Sequence, residues 1–205
     1  MKVAIVKYNA GNIYSVESAL RRLGVTPALT DNAEEIRQAD GVLFPGQGEA
    51  QGAMTYLRAK GLDTLIKGLR QPVLGICIGQ QLLCRHSEEG DTDCLGIFDL
   101  PVKRFVPLCH EDKIPAMGWN ELTHLKSPLL EGVEEKDFVY FVHSYYVPCS
   151  EWTIATSTYI HPYSAALHKD NFYTTQFHPE KSGKVGERIL DNFLRIAQTA
   201  NKTTL

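Results

Sequence analysis

The apolar run Val73 to Ile78, interrupted only by Gly75 and Cys77, leads at once into Gly79 and the helical pattern of Gln80-Gln81-Leu82-Leu83. The run reads as a buried strand, so Cys77 sits at a strand-to-helix turn with a glycine two residues before it and another two residues after. This G-x-C-x-G arrangement is the thiol counterpart of the nucleophile elbow. Such a turn forces its central residue into a strained backbone, and a side chain at either flank would meet neighbouring backbone. The helix that follows points unpaired N–H groups at the sulfur, which favours thiolate. A buried strand cysteine is the alternative, because cysteine is among the most buried residue types. The pentapeptide alone leaves both open.

Around this turn the first half of the chain alternates strands with helices. Lys2 to Tyr8 reads as a strand buried on both faces through Val3, Ala4, Ile5 and Val6, as in a parallel sheet. Asn9 to Asn12 is a turn, and Ile13 to Leu23 carries helical spacing up to Gly24. Thr26 to Thr30 is a short strand, after which Asp31 or Asn32 caps a helix over Ala33 to Ala39. Gly41 to Phe44 is a third strand ending in Pro45-Gly46-Gln47-Gly48, and Ala50 to Leu69 is helical with a break near Gly61. The pattern predicts an α/β fold, a doubly wound and mostly parallel sheet flanked by helices. Ligands of such sheets bind beyond the carboxyl ends of the strands, where Asn9 to Asn12, Pro45 to Gly48 and Cys77 all lie.

From Cys94 to Phe177 the character changes. Strands are expected over Gly96–Phe105, Lys113–Leu122, Phe138–Val147, Thr153–Tyr159, Ser164–His168 and Phe172–Phe177, forming an additional antiparallel section that returns to the main sheet. Lys184 to Thr199 is a closing helix with Val185, Ile189, Phe193 and Ile196 on one face. With 205 residues the chain is expected to form one domain over residues 1–205. A net charge of −3 argues against nucleic acid as a partner. No apolar run has the length of a membrane span, and Met1 to Ala10 reads as a first strand and not as a signal peptide. Five cysteines, an odd number without a C-x-x-C pair, argue against a disulfide framework or a zinc site and for a cytoplasmic location. No metal and no cofactor is expected.

The second chemical signal is Gln176-Phe177-His178-Pro179-Glu180-Lys181-Ser182. In an extended segment, residues two apart project to the same side roughly 6.5 Å apart. His178 and Glu180 would then face the same way, an imidazole beside a carboxylate. That is what a thiol nucleophile needs: the imidazole takes and returns a proton, and the carboxylate orients it. A strand-end His-Pro turn with a solvated glutamate is the plain alternative. His161-Pro162 is such a turn, with no acid at the matching place. His143, among alternating aromatics, is a rival base read as a packing histidine, and Cys84, Arg85 and His86 are read on the helix after Cys77. Cys94, Cys109 and Cys149 read as structural, and His110, His124 and His168 as surface residues.

Taken together, Gly75-Ile76-Cys77-Ile78-Gly79 with Gln81, and far downstream Gln176 to Glu180, resemble the class I glutamine amidotransferases. Within that class, Ala10-Gly11-Asn12, Pro45 to Gly48, Met117-Gly118-Trp119-Asn120, Tyr140 to Tyr145 and His178 to Ser182 resemble the glutaminase subunits of imidazole glycerol phosphate synthases, essentially end to end. The resemblance implies glutamine hydrolysis with Cys77 as nucleophile, His178 as base and acid, and Glu180 as its orienter. It implies an oxyanion hole from the backbone of Ile78 and Gln47, and glutamine contacts from Gly46, Gly48, Gln81, Glu89, Ser144 and Tyr145. It implies delivery of ammonia to a (β/α)8-barrel cyclase subunit in a heterodimer, with Asn12, Trp119, Tyr140 and Lys181 as interface candidates. Read without the resemblance, Trp119 and Tyr140 are equally a core tryptophan and a strand tyrosine. Many relatives carry glycine at the Gln47 place; a side chain there disfavours positive φ, so the hole is expected to be unset in the resting chain. Lys7 stands where relatives often carry an acid. A glutaminase serving pyridoxal phosphate synthesis and a stand-alone γ-glutamyl hydrolase are the other enzymes of this kind.

Overall fold

The computed structural model describes residues 1–8, 13–46 and 48–202. Its first half winds β1 (Val3–Val6), α1 (Ile13–Arg22), β2 (Ala28–Thr30), α2 (Ala33–Arg37), β3 (Gly41–Gly46), α3 (Ala50–Ala59), α4 (Leu62–Lys67), β4 (Val73–Cys77) and α5 (Ile78–Leu83). The four strands are parallel, β1 lying between β2 and β3, and β3 beside β4. Because successive strand residues point to opposite faces, β1 feeds two cores. Val3 and Ile5 join the layer that holds Val16, Ala19 and Leu20 of α1, whereas Ala4 and Val6 join Ile36 of α2 with Met54, Leu57 and Leu65 of α3 and α4. Helices therefore cover both faces, as the sequence predicts. Asn32 is the cap, its side chain accepting from the N–H groups of Glu34 and Glu35.

The second half comprises β5 (Cys84–Ser87), β6 (Thr92–Asp93), β7 (Phe98–Arg104), β8 (Ala116–Glu121), β9 (Phe138–His143), β10 (Tyr145–Tyr146), β11 (Thr153–Tyr159), β12 (His161–Lys169), β13 (Phe172–Thr175) and α6 (Gly183–Lys202). β13 returns to the main sheet in parallel beside β4, and β12 and β11 extend it antiparallel, giving the order β11-β12-β13-β4-β3-β1-β2. The remaining strands form a four-stranded sheet, β10-β7-β5-β6, and the antiparallel pair β8–β9. α6 lays Ile189, Leu190 and Phe193 on the same core as Val3 and Ile5. No helix of the described residues is long and apolar enough to cross a membrane.

Several local expectations are corrected. The helix after Cys77 stops at Leu83, and Cys84, Arg85 and His86 lie in β5. Returning chain overrides the local helical pattern there: Leu95 N–H donates to the Leu82 carbonyl and Cys94 N–H to that of Arg85, both at 2.8 Å. Cys84 is still fully buried. The expected strand Phe138–Val147 is cut at Ser144, whose carbonyl accepts from Phe105 N–H at 3.0 Å, so β9 pairs with β8 and β10 with β7. His161-Pro162 opens β12 instead of ending a strand, and His168 is half-buried, stacked 4.0 Å from the Tyr173 ring. Cys109 and Cys149 are exposed thiols without a packing role.

The glycines of the elbow answer to close packing. A Cβ on Gly75 would lie 2.8 Å from Leu83 and 2.9 Å from the Gly79 backbone, and one on Gly79 would run into the Phe44 carbonyl. α5 therefore rests directly on β3 and β4. Gly79→Ala should cost about 3 kcal/mol through overpacking, read as a lowered thermal midpoint. Gly68→Ala, whose methyl would meet nothing nearer than 3.5 Å, is the control.

Candidate active site

β4 delivers Cys77 to the carboxyl end of the sheet, opposite Gly46 of β3. Cys77 takes φ +54° and ψ −108°, outside the usual regions for a residue with a side chain, and is 7% exposed. Ile78 opens α5, so its N–H belongs to the helix turn that has no partner within the helix. There is no room for a side chain at Gly46, where a Cβ would overlap Ile78 at the start of α5 and the Tyr8 hydroxyl. That hydroxyl donates to the Pro45 carbonyl at 2.6 Å. Burial, and then the neighbouring Cys77, push the Tyr8 phenol far above its ordinary range.

β13, in register with β4, brings His178 to the same end. The segment does not stay extended as expected. Pro179 to Lys181 form a single 3-10 turn, favoured by the fixed φ of proline at its start. The turn, and not a strand, presents Glu180: its Oε1 lies 2.8 Å from His178 Nδ1, both side chains almost wholly buried. The turn is clipped to β9. His178 N–H donates to the Tyr140 carbonyl at 2.9 Å, Tyr140 N–H to Ser182 Oγ at 3.0 Å, and Ser182 Oγ–H to the His178 carbonyl at 2.7 Å. With Nδ1 taken, the buried Nε2 meets no nitrogen or oxygen among the described residues and faces the Cys77 sulfur. Burial disfavours the imidazolium. The sulfur and the Glu180 carboxylate outweigh it and raise His178 from 6.5 to about 10. His143 behaves in the opposite way. Burial, and then the charge of His178, lower it to about 4, and its Nδ1–H donates to the Tyr145 carbonyl at 2.7 Å. It is neutral at ordinary pH and packs among Phe105, Phe141 and Tyr163, as expected.

A cavity of about 340 Å³ opens over the sulfur. Gly46, Gly48, Ile78, Gln81, Glu89, Ser144 and Tyr145, all singled out from sequence, line it together with Cys77. His143, by its sequence a packing histidine, Val142 of the Tyr140 to Tyr145 run, and Pro115, which nothing in its local sequence marked, line it as well. Gly48 takes φ +155°, a conformation that favours glycine. Glu89 arrives from the turn after β5. Burial, and then nearby Glu49, raise its carboxyl, against the Ala50 N–H that donates to it at 2.8 Å. Two further groups reach the sulfur. The Val142 carbonyl lies 3.9 Å away, and Gln176 Nε2 donates from 3.7 Å. Gln176 stands inside the Gln-Phe-His-Pro-Glu run, which was the one available signal for it. Among the described residues no cluster of His, Cys, Asp and Glu could hold a metal ion.

Of the interface candidates, Trp119 is 56% exposed and so not a core residue. Its ring lies 6.1 Å from that of Tyr140, with Lys181 Nζ 5.9 Å over the latter. The β8–β9 register pairs Met117 with Val142, Trp119 with Tyr140 and Glu121 with Phe138. Paired residues share a face, so exposed Met117, Trp119 and Phe138 form one apolar stripe with Tyr140 and Val142. Asn12 and Gln47 lie outside the described residues.

The family profile described as glutamine amidotransferase class-I matches residues 4–197. The imidazole glycerol phosphate synthase subunit HisH of Bacteroides thetaiotaomicron is 66% identical over 96% of this chain and the whole of that protein. The subunit of the same name from Escherichia coli K12 is 43% identical over the same shares. Among solved structures, a putative GMP synthase subunit from Thermoplasma acidophilum superposes with a TM-score of 0.77 at 21% identity, covering 100% of this chain and 97% of that one. A glutamine amidotransferase from Thermotoga maritima gives 0.63 at 14% identity, covering 98% and 85%. These two share the fold. By profile and by full-length identity, the chain belongs to the class-I glutamine amidotransferase family, among the HisH subunits of imidazole glycerol phosphate synthase.

Proposed function

We propose that residues 1–205 act as one glutaminase domain that hydrolyses glutamine to glutamate and ammonia through Cys77, His178 and Glu180. The ammonia passes to a (β/α)8-barrel cyclase subunit in a heterodimer. There it serves to make imidazole glycerol phosphate and an aminoimidazole carboxamide ribotide for histidine biosynthesis. The observation that carries this reading is the buried His178–Glu180 pair, 2.8 Å apart, with its free imidazole edge on the Cys77 sulfur.

His178 Nε2 accepts the thiol proton, and the sulfur attacks the side-chain amide carbon of glutamine. The oxyanion that forms is met by the N–H of Ile78 and, in this reading, that of Gln47. The imidazolium returns its proton to the nitrogen, ammonia leaves, and a γ-glutamyl thioester remains. His178 then takes a proton from water, the hydroxide cleaves the thioester, and glutamate departs with the sulfur restored. Glu89 meets the substrate ammonium, Gln81 contacts the bound glutamine, and Ser144 and Tyr145 meet its α-carboxylate. Glu89→Gln should raise KM for glutamine about tenfold or more, the loss of a charge-assisted contact, with kcat changed far less. An unchanged KM would remove Glu89 from the ammonium site.

The partner seats on the stripe of Met117, Trp119, Tyr140 and Phe138, with Lys181 beside Tyr140; Asn12 is a further contact by the family resemblance alone. Large exposed aromatics are what interfaces bury. Val142 joins that stripe to the thiol, and the Ser182 clip joins it to His178, so docking strains the site from two sides. Glutamate release should therefore be slow for the chain alone and strongly stimulated by the cyclase subunit with its nucleotide ligand. Full activity alone would point to a stand-alone γ-glutamyl hydrolase. Stimulation only by a partner of pyridoxal phosphate synthesis would point to that pathway.

A further inference from the structure

Gln176 is completely buried, and its amide closes a chain of hydrogen bonds that starts at a main-chain carbonyl. The Tyr145 carbonyl can only accept. It takes Nδ1–H of His143 at 2.7 Å and one Nε2–H of Gln81 at 3.2 Å. The other Nε2–H of Gln81 goes to Oε1 of Gln176 at 3.0 Å. Gln176 is thereby set one way round, oxygen to Gln81 and nitrogen to the Cys77 sulfur at 3.7 Å. An amide could otherwise turn over at no cost. Here a turned amide would set two donors against each other at one end and an oxygen against the sulfur at the other.

We infer that Gln176 is a positioning residue for the nucleophile: its oriented N–H favours thiolate over thiol at Cys77 and holds the sulfur in place, with Gln81 as the brace that keeps the amide from turning. The inference rests on Cys77 being the nucleophile. It gives the sulfur two donors, the His178 imidazolium and a neutral amide. The amide keeps its hydrogen at every pH and serves again when the thioester expels the sulfur as thiolate. Other titratable groups around the sulfur are Tyr8 just after β1, His143 from β9, Glu180 behind His178, and Glu89 across the cavity. Tyr8 and His143 stay neutral through the middle of the pH range.

The test is the rate at which iodoacetamide alkylates Cys77 in the full-length chain, followed on the Cys77 peptide by mass spectrometry from acid to alkaline pH. The exposed thiols Cys109 and Cys149 serve as internal references. Gln176→Met keeps the shape and removes the donor. It should slow Cys77 alkylation on the acid limb about tenfold, the value of one hydrogen bond to a charged group, with the reference thiols unmoved. Gln176→Glu keeps the shape and the oxygen that Gln81 needs but turns an oxygen on the sulfur, and should be slower still. If Gln176→Met does not fold, Gln81→Met frees the same amide and should slow alkylation about threefold. Wild-type rates in both Gln176 variants would overturn the inference. So would a slow Gln176→Met beside a normal Gln176→Glu, because shape alone would then be what matters. Failure of the underlying reading looks different: Cys77→Ala would keep releasing glutamate, or wild-type Cys77 would react like Cys109 and ignore His178→Asn.

Discussion

Cys77→Gly and Cys77→Ala are both expected to lose glutamine-dependent synthesis by at least about 10⁴-fold, as loss of a nucleophile does elsewhere. In the complex with the cyclase subunit, synthesis fed by free ammonia should survive, because only the source of ammonia is removed. The two variants should differ in stability in an unusual order. In an ordinary buried strand, glycine is less stable than alanine by about 1 kcal/mol. At φ +54° and ψ −108° the alanine Cβ inherits the strain of the cysteine, and glycine does not. Cys77→Gly should therefore melt at or above Cys77→Ala. The ordinary order would mean that the turn stores no strain. Retained glutamine-dependent synthesis in either variant would remove Cys77 from the chemistry.

Strain of this kind explains why the elbow was legible from sequence. Gly75 and Gly79 are where they are because α5 lies against β3 and β4 with no room for a methyl group. A local pattern thus reports a tertiary contact, and the same holds for the two-faced burial of β1; the cap at Asn32 is legible because its hydrogen bonds are themselves local. What the sequence concealed was set by long-range pairing. β5 follows from hydrogen bonds to the chain around Leu95, and the break at Ser144 follows from Phe105. Neither leaves a mark on the local pattern. The site divides in the same way. Cys77, His178, Glu180 and the lining from Gly46 to Tyr145 sit in recognisable runs. Val142 and His143 reach the cavity because β9 crosses it, and Tyr8 reaches the Pro45 carbonyl because β1 lies beside β3. The exposure of Trp119 could not be read either, since an aromatic in an alternating strand suits a core and an interface equally.

Glu180→Gln should reduce glutamine hydrolysis on the order of 10³-fold near neutral pH, by the logic that governs the acid of a hydrolytic triad. The Gln amide can present its N–H to His178 Nδ1, which moves the ring proton to Nε2, the edge that must accept from Cys77. Part of the loss should return in alkali, where the thiol ionises without help. The same substitution has a stability signature. His178 is held protonated to about pH 10, against 6.5 when unperturbed, through the sulfur and the carboxylate. A group with a raised native value contributes its full stabilisation below the unfolded value and loses it as pH rises through the native one. The wild type should thus lose stability between 6.5 and about 10, measured as a thermal midpoint across that window. Glu180→Gln removes one of the two groups that raise His178, so its profile should be flatter across the same window. A parallel profile with an unchanged rate would mean that Glu180 neither orients nor charges the imidazole, and the carboxylate would be a buried structural acid beside a histidine that works without it.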